Sequence, residues 1–163
     1  TRSDRDWSSD VCSSDLSWFV REHAGVRVIG VNSLLFGSKL PRERKQWEQL
    51  EQALAQPAKQ PTLLLSHFPL FVKSPGEPGG AYWNLEPVPR MRLLSLLKLG
   101  GVSTVLSGHL HQSVTNRLDG TFHYTTPPIS FGLPVGKQPP GWTLVSVPEK
   151  GPASVEFKPI EEK

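Results

Sequence analysis

With 163 residues and 37% apolar side chains, the chain can supply one hydrophobic core without help from disulfides. A single cysteine, Cys12, excludes an internal disulfide framework, and 16 prolines and 14 glycines scattered without a period exclude a coiled coil or a collagen. The net charge of +3 is mild and forms no basic stripe interleaved with aromatics, and no apolar run approaches the roughly 18 residues of a membrane span, so neither nucleic acid nor a membrane is an expected partner. The default is a soluble globular chain, with the cytoplasm as the expected compartment and the oligomeric state open.

Residues 1–16 (TRSDRDWSSDVCSSDL) stand apart, holding four of the five aspartates and the only cysteine. The run DWSSDVCSSDL from Asp6 to Leu16 looks like the translation of a short-read sequencing adapter. It is therefore expected to be a non-native, disordered leader, with the native chain continuing further upstream. Without it, 16 basic and 11 acidic side chains remain, a net charge of +5.

From Ser17 onward, strand-like runs alternate with helical patterns, the mark of a layered α/β fold. A first short run reaches a turn at His23, expected to be simply exposed. Val26–Leu35 (VRVIGVNSLL) is β-branched and reads as a strand ending at Asn32 and Ser33. Ser38–Gln56 offers a capping Ser, an early Pro, and then Trp47, Leu50 and Leu54 at spacings of three and four. This predicts an amphipathic helix of about four turns. Thr62–Leu65 is a short buried strand between Pro61 and Pro69.

A Gly- and Pro-rich loop follows, Phe71–Glu86, carrying Tyr82, Trp83 and Asn84. A long loop directly after a strand is a natural source of substrate contacts, which makes Tyr82 and Asn84 the candidate substrate-binding residues, although aromatics at such turns also serve as packing anchors. Pro87–Leu99 reads as a second helix closed by Gly100 and Gly101. Val102–Leu106 is again a short buried strand. Phe122–Thr126, Thr143–Val147 and Ser154–Lys158 read as three more, pairing as a largely antiparallel sheet, with a charged tail over residues 159–163. His123 alternates with Phe122 and Tyr124 and reads as a sheet residue, and Asp119 sits in a Leu-Asp-Gly turn.

The chemistry concentrates at two strand ends. TLLLSH runs into His67, and STVLSGH runs into His109, with His111 two residues later. Ligands in open α/β sheets bind beyond the carboxyl ends of the strands. Neutral imidazoles bind divalent transition metals at about 2.0–2.1 Å, and a preceding Gly lets the backbone turn tightly. His67, His109 and His111 are therefore the candidate metal ligands.

Through Ser66–Phe71 (SHFPLF) and Ser107–His111 (SGHLH), with the intervening helix and the Asn-Ser strand before it, the chain resembles the calcineurin-like metallophosphoesterases. The segment Tyr82–His111 is most similar to the branch described as protein phosphatases. The resemblance covers most of residues 17–147 and implies the C-terminal half of a four-layer α/β/β/α sandwich occupying residues 17–158. It also implies a phosphatase acting on phosphoester substrates. Two divalent or trivalent metal ions (Mn, Fe or Zn) would clamp the phosphate and activate a bridging hydroxide, with His67 and His109 on one metal and His111 on the other.

The family's N-terminal motifs (Asp-x-His, Gly-Asp with its bridging Asp, and Gly-Asn-His) are not present. Asp119 is the one aspartate after residue 16, and Asn32 lacks the following His. The expectation is a truncated, inactive piece of a hydrolase with no catalytic residue of its own. The competing expectation is a non-enzymatic pseudoenzyme binding one metal ion or none.

Overall fold

The computed structural model describes residues 18–80 and 82–160; the leader expected at 1–16 lies outside them, as do the last three residues of the expected tail. Eight strands form two sheets: β1 (Phe19–His23), β2 (Val26–Gly30), β3 (Thr62–Leu65), β4 (Thr104–Ser107), β5 (Val114–Leu118), β6 (Thr121–Thr125), β7 (Gly141–Ser146) and β8 (Ser154–Pro159). Two helices, α1 (Pro41–Ala53) and α2 (Pro87–Leu99), cross between the parallel strands. The fold is a mixed α/β arrangement.

The main sheet runs β1-β2-β3-β4-β6-β5. The β2, β3, β4 and β6 strands are mutually parallel, while β1 and β5 close the two edges antiparallel. The register lays one row of side chains across the sheet: Val20, Ile29, Leu64, Val105, His123 and Asn116. Ile29, Leu64 and Val105 join Trp47, Leu50 and Leu54 of the α1 region and Leu93 and Leu97 of α2 in the core. Leu50, Leu54, Leu64 and Leu93 are fully buried, and each contributes about 1.5–3 kcal/mol by leaving water. The opposite face, carrying Leu63, Thr104 and Phe122, meets β7 and β8. Those two strands pair antiparallel with each other, and the Ala153 N–H donates to Thr104 Oγ1 at 2.9 Å.

Several expected elements differ in extent. The strand expected to run from Val26 to Asn32 and Ser33 ends at Gly30. Asn32 turns the chain instead, its side chain accepting from Leu34 N and capping a 3-10 turn over Ser33–Leu35. The first helix begins at Pro41 rather than Ser38 and stops at Ala53. Ser38 is not its cap: the Glu43 carboxylate reaches back to the N–H groups of Gly37 and Lys39, so the donors at the helix entry are bonded by a residue of its own first turn. The second helix matches its expected span, with Gly101 beyond it at φ +66°.

The last three expected strands do not form one antiparallel sheet. The β6 strand pairs parallel with β4, and only β7 and β8 pair with each other. The unanticipated β5 joins β6 through a two-residue turn at Asp119 (φ +50°) and Gly120 (φ +84°), the backbone of a tight hairpin. Its mixed polar and apolar sequence, VTNRL, carries little strand signal because β5 lies at an edge. His23 is the last residue of β1 rather than a turn residue, and it is exposed as expected.

Candidate metal centre

Because β2, β3 and β4 are adjacent and parallel, their carboxyl ends bring three loops to one edge of the sheet. The Asn32–Ser33 turn follows β2, Ser66–His67 follows β3, and Gly108–His111 follows β4. Direct bonds lock these loops together. Ser33 Oγ accepts from Phe68 N at 2.9 Å, and Gly108 N donates to His67 O at 3.1 Å. Gln46, a buried polar residue of α1, donates to Asn32 O and accepts from Asn32 N, which fixes the first loop from beneath.

His67 and His109 meet in this edge, with His67 Nε2 and His109 Nδ1 3.2 Å apart. The other nitrogen of His109, Nε2, lies 2.7 Å from the carbonyl oxygen of Tyr82. A carbonyl only accepts, so His109 Nε2 carries the proton and, in the neutral ring, Nδ1 presents a lone pair toward His67. A metal-binding histidine is commonly held in this way, its second nitrogen donating to a backbone carbonyl. Two nitrogens each about 2.0–2.1 Å from one ion in tetrahedral coordination stand a little over 3 Å apart, close to the separation of His67 Nε2 and His109 Nδ1.

His111 is turned elsewhere. Its Nδ1 donates to Phe131 O at 2.9 Å, its own carbonyl accepts from Leu133 N at 2.9 Å, and its ring packs on Phe131 with centroids 4.6 Å apart. By the same carbonyl argument, His111 keeps Nε2 free. Among the described residues no group of three or more His, Cys, Asp or Glu side chains is gathered closely enough to hold a metal ion. The three sequence candidates thus divide into a facing pair and one separately oriented ring.

Burial first, and then the charges of the neighbouring His109 and His111 rings, push the His67 imidazole below its ordinary pKa of 6.5. A neutral ring at physiological pH is the form that binds cations. The backbone is strained at the same place: His109 has φ +70° and His111 has φ +55°. Residues other than Gly, Asn and Asp seldom occupy this region, at a cost of roughly 1–2 kcal/mol each, and such strain gathers at functional sites. Gly108 between β4 and His109 has open space where a Cβ would stand.

Around the pair, Phe68 and Tyr82 pack edge-on against the His109 ring at 4.3 and 4.6 Å. Tyr82 is nevertheless 71% exposed, and Trp83 beside it 52%. Asn84 points inward, its amide donating to the Glu77 carboxylate while Oδ1 is buried without a partner. Both Tyr82 and Asn84 line a recess of about 350 Å³ together with Ser33, Phe68 and Glu86. The sequence reading did not single out Phe68, Arg90 or the loop that supplies Phe131. The first was visible as the aromatic directly after His67, whereas the contacts of the other two arise from chain crossings without a local signature.

Comparison with known proteins supports the resemblance read from the motifs. No protein-family model matches the chain. The human serine/threonine-protein phosphatase CPPED1 is 31% identical over 132 residues, which is 76% of this chain and 40% of that protein. The chain is similar to protein phosphatases. The zebrafish (Danio rerio) CPPED1 is 35% identical over 72 residues, covering 44% of this chain and 23% of its relative. The chain therefore spans well under half the length of these curated relatives. In structure it is similar to GAP50, described as the anchor in the inner membrane complex of Plasmodium, at a TM-score of 0.59 with 16% identity over 86% of this chain and 48% of that one. This last likeness is one of fold.

Proposed function

We propose that this chain forms part of a metal-dependent phosphoester hydrolase, the C-terminal half of a four-layer sandwich, and that it supplies one side of a dinuclear metal site. The observation that carries the reading is the facing pair of His67 and His109 at the carboxyl ends of adjacent parallel strands, with the second nitrogen of His109 already bonded to a carbonyl. His67 and His109 would hold one ion, and His111 Nε2 would serve the other. Bound metal ions supply Lewis acidity to a phosphoryl oxygen and favour hydroxide over water near neutral pH.

The residues of this chain perform the supporting work. The Tyr82 carbonyl keeps the proton on His109 Nε2, and the Phe131 carbonyl keeps that of His111 on Nδ1. Phe68 and Tyr82 screen one side of the His109 ring from water. The exposed Tyr82 ring would stand beside the phosphate of the substrate, whereas Asn84, with Oδ1 buried and its amide on Glu77, serves the loop rather than the substrate. Among the described residues no carboxylate is gathered with the histidines to join two ions, and the chain alone is expected to bind metal weakly and to lack turnover.

A second reading is favoured by a specific observation. The His67–His109 contact is itself a hydrogen bond, so the pair is satisfied without any ion. A pseudoenzyme with one metal ion or none has the same geometry. The deciding experiment measures bound metal and p-nitrophenyl phosphate hydrolysis in the longer protein that contains this chain, in the wild type and in His67→Ala and His109→Ala. Loss of one ion with a fall of 100-fold or more in activity is expected, in line with the several kcal/mol that a metal ion supplies to such a transition state. Unchanged activity in His109→Ala overturns the hydrolase reading.

A further inference from the structure

Arg90 lies on the first turn of α2 and is completely buried, an unusual place for a guanidinium. Its hydrogen-bond acceptors are backbone carbonyls of the preceding loop. Nη1 donates to Pro75 O at 2.8 Å and Glu77 O at 2.6 Å, while Nε and Nη2 both donate to Leu85 O, at 3.1 and 2.7 Å. A buried cation is tolerated only when its donors are met, and here the loop wraps around the guanidinium to meet them.

The Glu77 side chain does the complementary task within the same loop. Its carboxylate accepts from the N–H groups of Val72, Lys73 and Ser74 and from the Asn84 amide. At the loop's base, Leu85 N donates to Pro69 O at 3.1 Å, and Asn116 on β5 reaches Val72 O at 3.1 Å. The described residues of the segment 71–86 form no helix or strand, yet the buried Arg90 fork and two carboxylates, Glu77 and Glu86, the latter accepting from Gly80 N at 2.8 Å, set its shape. Its far end delivers Tyr82 O to His109 Nε2.

We infer that Arg90 is a positioning residue for His109. By clamping the carbonyls of Pro75, Glu77 and Leu85, it fixes the loop so that the Tyr82 carbonyl holds the proton on Nε2 and leaves Nδ1 facing His67. The charge of Arg90 is not what matters; its planar fork is, because a lysine ammonium cannot span three carbonyls on two sides of the loop. This places the control of the imidazole pair outside the pair itself, in the first turn of the helix that follows the loop. The inference shares His109 with the metal reading above but does not need a metal for its test.

The test uses the chain labelled with ¹⁵N-histidine, held at a pH well above the imidazole range. Long-range ¹H–¹⁵N spectra then report the tautomer of each ring directly. Wild-type His109 is expected as the single Nε2–H form, and both Arg90→Met and Arg90→Lys as a mixture of the two tautomers. Zinc affinity is expected to fall by about 10- to 100-fold in both variants, the usual loss when the group orienting a ligand histidine is removed. Backbone amide spectra of α1 and the sheet verify that the fold persists. Should the Arg90 variants fail to fold, Glu77→Gln, which weakens the same loop from another anchor, is expected to give the same tautomer mixing. A folded Arg90 variant that keeps the single Nε2–H tautomer overturns the inference, as does a Glu77→Gln protein that keeps it when the Arg90 variants do not fold. If the chain binds zinc too weakly to measure while the tautomer still depends on Arg90, the positioning role stands independently of the metal reading.

Discussion

His109 and His123 sit on neighbouring strand systems of the same sheet, yet their surroundings demand opposite things of an imidazole. His109 stands beyond a strand end, strained at φ +70° and reaching polar partners with both nitrogens. Relieving that strain while deleting the ring is testable: His109→Gly is expected to be more stable than His109→Ala by about 1 kcal/mol, because only the alanine retains a Cβ in the left-handed region. Chemical denaturation of the two variants measures the difference, and equal stabilities would show that the loop relaxes instead of storing strain.

His123 is embedded in the row that continues Leu64 and Val105 toward the β5 edge, and its Nε2 is buried without a partner. Burial pushes its pKa down from 6.5 to about 4. Above pH 6.5 the ring is neutral in both folded and unfolded chains. As the pH falls through the unfolded value, the unfolded chain takes up a proton that the folded one refuses. Stability is therefore lost between pH 6.5 and about 4, by on the order of 3 kcal/mol from this group. Thermal melts across that window are expected to decline in the wild type and to decline less in His123→Leu. Parallel slopes in the two proteins would assign the acid sensitivity to other groups.

Among the elements, the two helices are held less by their own caps than by contacts made across the chain. Arg92 of α2 lies over the Trp47 ring at 4.2 Å and pairs with Glu51 of α1, which joins the helices on their solvent side. Neither helix has a side-chain cap at its first residue, and both start on proline, whose preset φ suits the first turn. The α2 exit depends on Gly101, at φ +66° and with the position of a Cβ 3.4 Å from the Pro57 side chain. Gly101→Ala is expected to destabilise the protein by about 1–2 kcal/mol, measured as a lower denaturant midpoint at constant slope. A neutral effect would mean that the turn can adopt a negative φ.

Both helices and the short central strands were legible in the sequence because their signals are local. Trp47, Leu50 and Leu54 repeat at helical spacing, the glycine pair closes α2, and TLLL is too short and too apolar for anything but a buried strand. The boundaries of α1 and the partner of β6 were not legible. Glu43 reaching back to Gly37 and β6 docking beside β4 are settled by contacts between segments, and no periodicity encodes them.

For the molecule as a whole, the order β1-β2-β3-β4-β6-β5 puts four parallel strands in the middle, with helices on one face and β7 and β8 on the other. The strands β2, β3, β4 and β6 are covered most completely, while β1 and β5 are edges and the β7–β8 pair has solvent-exposed Trp142 and Leu144. Native-state hydrogen exchange is expected to be slowest in the amides of β3 and β4 and faster in β1, β5, β7 and β8, since local opening follows burial and contact density. Uniform protection across both sheets would indicate a single cooperative unit instead.

By itself the sequence determined which residues could do chemistry: histidines placed just past buried strands, a glycine ahead of one pair, and a resemblance carried by SHFPLF and SGHLH. It did so because strand ends and loop residues are written locally, in a few adjacent positions. That His67 and His109 face each other while His111 turns to Phe131, and that a buried Arg90 binds the loop touching His109, came from the fold alone. Those outcomes depend on which strands lie side by side and on carbonyls brought together from distant segments, and a backbone carbonyl carries no residue identity that a sequence could display.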